Sequence, residues 1–191
     1  MDPKVLIAII VVLAIIVIAA IVISRRRHRS THLKQHFGPE YERALQQHGD
    51  ASKAEAALAE REERVHKLTI RELPASERAA YADEWAAVQR RFVDDPSMAV
   101  NEADRLVNRV MTARGYPMGD FDQRAEDISV NYPTVVQNYR SAREIAVRHT
   151  GGRASTEDLR QAMVYYRSLF DELLGTTAAA SSDPTVLRRA S

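Results

Sequence analysis

Nineteen consecutive residues, Val5 to Ile23, are drawn only from Val, Leu, Ile and Ala. As a helix this run spans about 28 Å, close to the ~30 Å hydrocarbon thickness of a bilayer. It holds no charge and no Gly, Pro, Ser or Thr. A helix packed in a soluble core needs an apolar stripe and not an apolar surface on every side. The run therefore reads as a single transmembrane helix, with residues 1–24 as the anchor. A cleaved signal peptide fits less well. Such peptides carry their cations before an apolar stretch of about 7–15 residues and end in a small-x-small site. Here the stretch is longer, Lys4 is offset by Asp2, and the cations follow the run.

Those cations set the expected orientation. Arg25, Arg26, Arg27 and Arg29 stand directly behind the span, and Lys34 follows. Positively charged flanks stay on the cytoplasmic side, so the remainder of the chain is expected to face the cytoplasm. The formal net charge of +1 hides a segregation. Residues 25–38 carry five cations and no acid, whereas residues 39–175 carry 19 Lys plus Arg against 24 Asp plus Glu. A basic stalk of local charge +5 precedes a domain of local charge −5. The stalk suits anionic headgroups, and Arg25, Arg26, Arg27, Arg29 and Lys34 are the expected membrane-surface contacts. The acidic domain lacks the basic face that nucleic acid requires, so no nucleic-acid partner is expected. With no cysteine in the chain, disulfide and thiolate chemistry are excluded.

Beyond the stalk, turn residues punctuate a series of helices. Gly38-Pro39 opens a short helix closed by Gly49, and Asp50 is placed to cap a second running to about Leu68. Ala54, Leu58, Val65 and Leu68 form a thin apolar stripe there, interrupted by Arg61. Glu60–Arg64 and Glu63–Lys67 are spaced to pair along the same helix. Residues 39–73 thus read as a helical arm with an extended connector, Thr69 to Leu73.

Four stronger helical patterns follow in residues 74–175. Tyr81, Trp85, Val88 and Phe92 share one face of the first. Asp95-Pro96 opens the second, whose apolar face is Ala99, Ala103, Leu106, Val110 and the flanking Val107 and Met111. A short helix over Asp120–Ile128 leads to the third, with Val135, Val136, Tyr139, Ala142, Ile145 and Ala146. Ser155 and Asp158 form a capping box for the fourth, which carries Leu159, Met163, Tyr166, Phe170 and Leu173. No stretch alternates as a strand does. The expected fold class is all-α: a transmembrane helix, a basic stalk, an amphipathic arm and a small antiparallel helical bundle. Residues 176–191 read as a disordered tail.

The candidate chemistry is thin. His28, His32 and His36 recur every four residues, and His32-Leu33-Lys34-Gln35-His36 keeps the spacing of the H-E-x-x-H metalloprotease motif. Leu33 stands where that motif needs glutamate, and the neighbouring cations repel a metal ion, so these read as polar stalk residues. Of the adjacent acids, Asp95 and Glu157-Asp158 lie at helix starts and read as caps. Glu62-Glu63, Asp94-Asp95 and Glu126-Asp127 point different ways on a helix, which does not suit paired acid–base work. The aromatic residues at helical spacing read as core, with Tyr165, off the stripe, as the better exposed contact. Gly151-Gly152-Arg153 lacks the frame of a phosphate loop and reads as a hinge. Arg188-Arg189-Ala190-Ser191 has the form favoured by basophilic kinases. No catalytic residue, metal ligand or cofactor-binding residue is expected.

Several segments together resemble a family of bacterial proteins of uncharacterised function. They are Phe37-Gly-Pro-Glu-Tyr-Glu-Arg-Ala-Leu45, Phe92-Val-Asp-Asp-Pro96 with Glu102-Ala-Asp-Arg-Leu106, Arg114-Gly-Tyr-Pro117, and Ser155-Thr-Glu-Asp-Leu-Arg-Gln-Ala-Met163. The resemblance implies that Phe37 to Leu174 form one domain behind a hydrophobic N-terminus. It implies no activity or cofactor, and it keeps an outward-facing topology open as an alternative. The functional expectation is a membrane-anchored binding or scaffolding module at the cytoplasmic face, with membrane lipid and a protein partner. Self-association through Asp50–Leu68 is one form of that partnership. The alternatives are an enzyme using carboxylates from separate helices and an outward-facing envelope protein.

Overall fold

The computed structural model describes the backbone of residues 3–175. Side chains are described from His28 onward and, before it, at Leu13, Ile16, Val17, Ile18, Ala20, Ile21, Ile23 and Ser24. Among these residues there are eight helices and no strand, so the chain is all-α. The expectations for residues 176–191, the C-terminal Arg-Arg pair included, fall outside the described residues.

Helix α1 runs unbroken from Pro3 to Phe37, so the apolar run and the basic stalk are one helix of about 52 Å. Among the described residues no helix is long and apolar enough to cross a membrane; most side chains of Val5–Ile23 lie outside that description. Gly38 ends α1, and Pro39 begins α2 (Pro39–His48). Helix α3 follows (Ala51–His66), with Lys53 N–H donating to Asp50 Oδ1 at 3.0 Å as its cap.

The chain divides into two compact units, 1–59 and 60–191. In the first, Leu33, Phe37, Tyr41, Ala44, Ala54 and Leu58 are buried. The Tyr41 hydroxyl donates to Glu55 Oε1 at 2.9 Å, joining α2 to α3.

The second unit holds α4 (Ala75–Asp94), α5 (Pro96–Arg114), α6 (Phe121–Asn131), α7 (Val136–Thr150) and α8 (Thr156–Leu174). Cross-helix contacts give their directions. Glu84 and Arg91 of α4 pair with Arg109 and Glu102 of α5. Position rises along one helix as it falls along the other, so the two are antiparallel. By the same reasoning α5 is antiparallel to α7, through Ser97 with His149 and Asn108 with Tyr139. Helices α7 and α8 are antiparallel through Asn138 with Ser168 and Arg148 with Asp158. Helices α5 and α8 are packed parallel, linked by Asp104 with Tyr166 and Arg114 with Leu173. The bundle is therefore two helices up and two down, with α5 packed on α4, α7 and α8.

Helix α5 can take that place because Ala99, Val100, Ala103, Leu106, Val107, Val110 and Met111 are all buried, two adjacent apolar seams on one helix. Trp85 of α4 stacks on Phe170 of α8 with ring centroids 4.8 Å apart, and Tyr139 meets Tyr166 edge-on at 6.3 Å. The aromatic stripes are core, as the spacing predicts. Tyr165, expected as an exposed contact, is half-buried against the same core.

The arm departs from its sequence reading. Arg61, which interrupts the apolar stripe of α3, is buried at 4% exposure and pairs with Glu126 of α6 at 2.9 Å. Arg64 turns away from Glu60, which the helical spacing offers it. It reaches Asp127 at 2.8 Å and Glu126 at 3.1 Å. A carboxylate pair from another helix outcompetes an i,i+4 partner worth a few tenths of a kcal/mol. The Glu63–Lys67 pair does form, at 2.8 Å.

The connector between α3 and α4 is held at the C-terminal end of α5. Arg71 N–H donates to Arg114 O at 2.9 Å, and Arg114 donates to Arg71 O and to Leu173 O. Gly115 makes the approach possible: its φ is +100°, and a Cβ there would stand 2.4 Å from Thr69 O. Gly115→Ala should cost at least about 2 kcal/mol, combining a left-handed backbone with a backbone clash. Gly152→Ala, at φ +67° with nothing within 4 Å, should cost about 1 kcal/mol. Equilibrium urea unfolding of the two variants against the parent checks the order.

Candidate binding groove between α4 and α5

Helices α4 and α5 are joined by one residue, Asp95. Its N–H donates to Arg91 O at 2.8 Å, ending α4, and its carboxylate accepts from Met98 N–H at 2.9 Å, capping α5. Pro96 supplies the first helical position, as the Asp-Pro pair predicts. The tight hairpin sets the two helices side by side, and a groove of about 900 Å³ lies along them.

Tyr81, Ala87 and Val88 line the groove from α4, Leu106 and Ala113 from α5, and Met118 from the loop beyond. Charge frames this apolar strip. Glu84 pairs with Arg109 across the groove, and Arg91 pairs with Glu102 at 2.5 Å. Both pairs are half-exposed, and such pairs contribute roughly 0–1 kcal/mol each. Arg105 lies between them on α5. It is exposed and has no hydrogen bond or ion pair among the described residues.

Behind the groove is a buried polar chain. Asn108, which also lines the groove, donates to Asp104 Oδ2 at 3.2 Å and accepts from the Tyr139 hydroxyl at 3.2 Å. Asp104 Oδ1 accepts from the Tyr166 hydroxyl at 3.0 Å, and Arg143 lies 3.9 Å from Oδ2. Burial raises the pKa of Tyr166, and the negative charge of Asp104 raises it further. Burial also raises Tyr139, against the pull of Arg124. Tyr116, buried and bonded to Asn131 at 2.7 Å, is pushed up to about 12, chiefly by burial.

A second charged cluster lies where α3 meets α6. Asp127 is 1% exposed, with Oδ1 on Arg64 and Oδ2 without a hydrogen-bond partner. Burial works against the charge on Arg64, but hydrogen bonds and attraction from Asp127 and Glu126 prevail, and its pKa is raised. This cluster fastens the last turns of α3, which belong to the second unit, to α6.

The residues singled out in the sequence divide accordingly. Asp95 caps α5, and Ser155 with Asp158 forms the reciprocal capping box of α8. Glu157 is held by Arg160 at 2.6 Å. Glu126-Asp127 takes the arginines of α3. On α1, the His32 and His36 rings stack with centroids 5.8 Å apart. Among the described residues no group of three or more His, Asp or Glu is placed to hold a metal ion. Arg29 and Lys34 are exposed, Lys34 with its ammonium 5.3 Å from the Tyr41 ring centre; the side chains of Arg25, Arg26 and Arg27 lie outside the described residues. The groove itself was not foreseen. Its one local signal is the i, i+3, i+7 spacing of Glu102, Arg105 and Arg109, a charged stripe beside the apolar face of α5. No protein-family model, curated protein or solved structure matches the chain.

Two measurements probe the buried polar chain. Tyr166→Phe removes a donor from Asp104 and should cost about 2 kcal/mol in urea unfolding. Tyr116, Tyr139 and Tyr166 have folded pKa values above the ordinary 10.0. The stability they contribute is whole below pH 10 and drains as pH climbs past it, because the unfolded chain loses these protons first. A tyrosinate absorbance titration should show these three resisting ionisation until the chain unfolds.

Proposed function

We propose that this chain is a single-span membrane protein whose helical bundle serves as a binding or scaffolding module at the cytoplasmic face, without catalytic activity. One observation carries the anchor. The described large aliphatic side chains of the apolar run, Leu13, Ile16, Val17, Ile18, Ile21 and Ile23, stand 50% to 61% exposed. Left in water, each forgoes about 25 cal/mol for every Å² of apolar surface that lipid covers. A run of nineteen consecutive apolar residues favours the bilayer strongly. Arg25, Arg26, Arg27, Arg29 and Lys34 then sit at the anionic headgroups and hold that end of α1 on the cytoplasmic side.

The binding reading is supported by the groove. Its glutamates each pair with an arginine, and an apolar strip framed by charge has the make-up of a recognition surface. The protein partner is cytoplasmic or membrane-associated, and the acidic bundle disfavours nucleic acid.

A reporter fused after Ser191 tests placement. The fusion should stay in the membrane pellet through alkaline carbonate extraction and be active only as a cytoplasmic reporter. Release into the wash, a mature chain starting beyond Ser24, or external activity overturns the reading. Cross-linking in intact membranes should return a reproducible protein partner; monomer alone counts against the binding module.

A further inference from the structure

We propose that the α4–α5 groove seats an amphipathic helix of a partner protein, one with Asp or Glu flanking its apolar stripe. This rests on the binding-module reading and names the surface and the chemistry that fits it.

Shape comes first. The walls, Tyr81 to Arg91 on α4 and Glu102 to Ala113 on α5, are each about 15 Å long, which matches roughly three turns of helix. The groove is open to solvent. An acyl chain lying in it would keep one side in water. A helix with one apolar stripe covers Tyr81, Ala87, Ala113 and Met118, whose surfaces are open above the buried Val88 and Leu106, and leaves its polar face outside. The small alanines let a third helix approach the pair closely.

Charge then selects the helix. The groove carries Arg91, Arg105 and Arg109 against Glu84 and Glu102, a net positive strip on a domain with 19 cations and 24 acids between residues 39 and 175. Arg105 lies exposed midway between the two cross-groove pairs, with no carboxylate partner among the described residues. A carboxylate on the incoming helix completes it. Arg91 and Arg109, held only by half-exposed pairs, can turn to further acids on the same flank. A basic helix meets an excess of like charge instead, and so does this chain's own Val186-Leu187-Arg188-Arg189.

The test uses the full chain in lipid nanodiscs and a displayed library of helices of about three turns. Each has a fixed apolar stripe and flanks varied among Asp, Glu, Lys, Arg and Ser. Selected sequences should carry acidic flanks. Arg105→Glu should weaken them by about tenfold or more, and replacing the facing acid by Lys should restore binding to that variant. Ala87→Trp, which fills the groove from an exposed position, should abolish binding while leaving the unfolding midpoint near that of the parent. Enrichment of basic flanks, no enrichment, or binding indifferent to both substitutions overturns the proposal. Saturable binding of oleate that Ala87→Trp blocks, or dimerisation that it blocks, also overturns it by naming a different occupant. A chain that stays in the membrane and cross-links a partner away from the groove sinks this proposal alone. A chain that washes out of the membrane sinks the anchor reading whatever the library returns.

Discussion

The bundle depends on the burial of α5 against three other helices at once. Ala99, Val100, Ala103, Leu106, Val107, Val110 and Met111 supply two adjacent apolar seams, so α5 cannot satisfy its surface against a single neighbour. Helix α4 covers one side, and α7 and α8 cover the other. The polar stripe that remains, Glu102, Arg105 and Arg109, lies along the groove shared with α4. The same division of one helix surface therefore creates both the core and the candidate site.

Polar groups inside the bundle give the packing its register. Hydrophobic contact is tolerant of sliding, whereas a buried hydroxyl or carboxylate is costly unless a partner meets it. Asp104 must find Tyr166 on α8, and Asn108 must find Tyr139 on α7; together they hold three helices at one height. Arg114 does similar work at the end of α5, gripping Leu173 O of α8 and Arg71 O of the connector. Arg61 and Arg64 with Glu126 and Asp127 complete the set at α6.

Charge is segregated along the chain: residues 25–38 carry five cations and no acid, whereas residues 39–175 carry 19 Lys plus Arg against 24 Asp plus Glu, which makes the bundle acidic. On that acidic bundle the groove is a local positive exception. Continuity of α1 from Pro3 to Phe37 carries the helix without a break from the apolar run through the stalk.

The sequence by itself determined what is local: the all-α class, the helix starts at Pro39, Asp95-Pro96 and Ser155, and the apolar faces that became core. Helical period and capping act over four residues, and those signals stand in the chain order. Tertiary structure alone decided the rest. Arg61 reads as a break in a stripe until Glu126, 65 positions away, turns it into a buried pair. Glu84 and Arg109, 25 positions apart, frame a groove only because α4 and α5 run antiparallel. A cross-helix pairing leaves no periodic trace, since its energy depends on which faces meet in space, and only the packed chain specifies that.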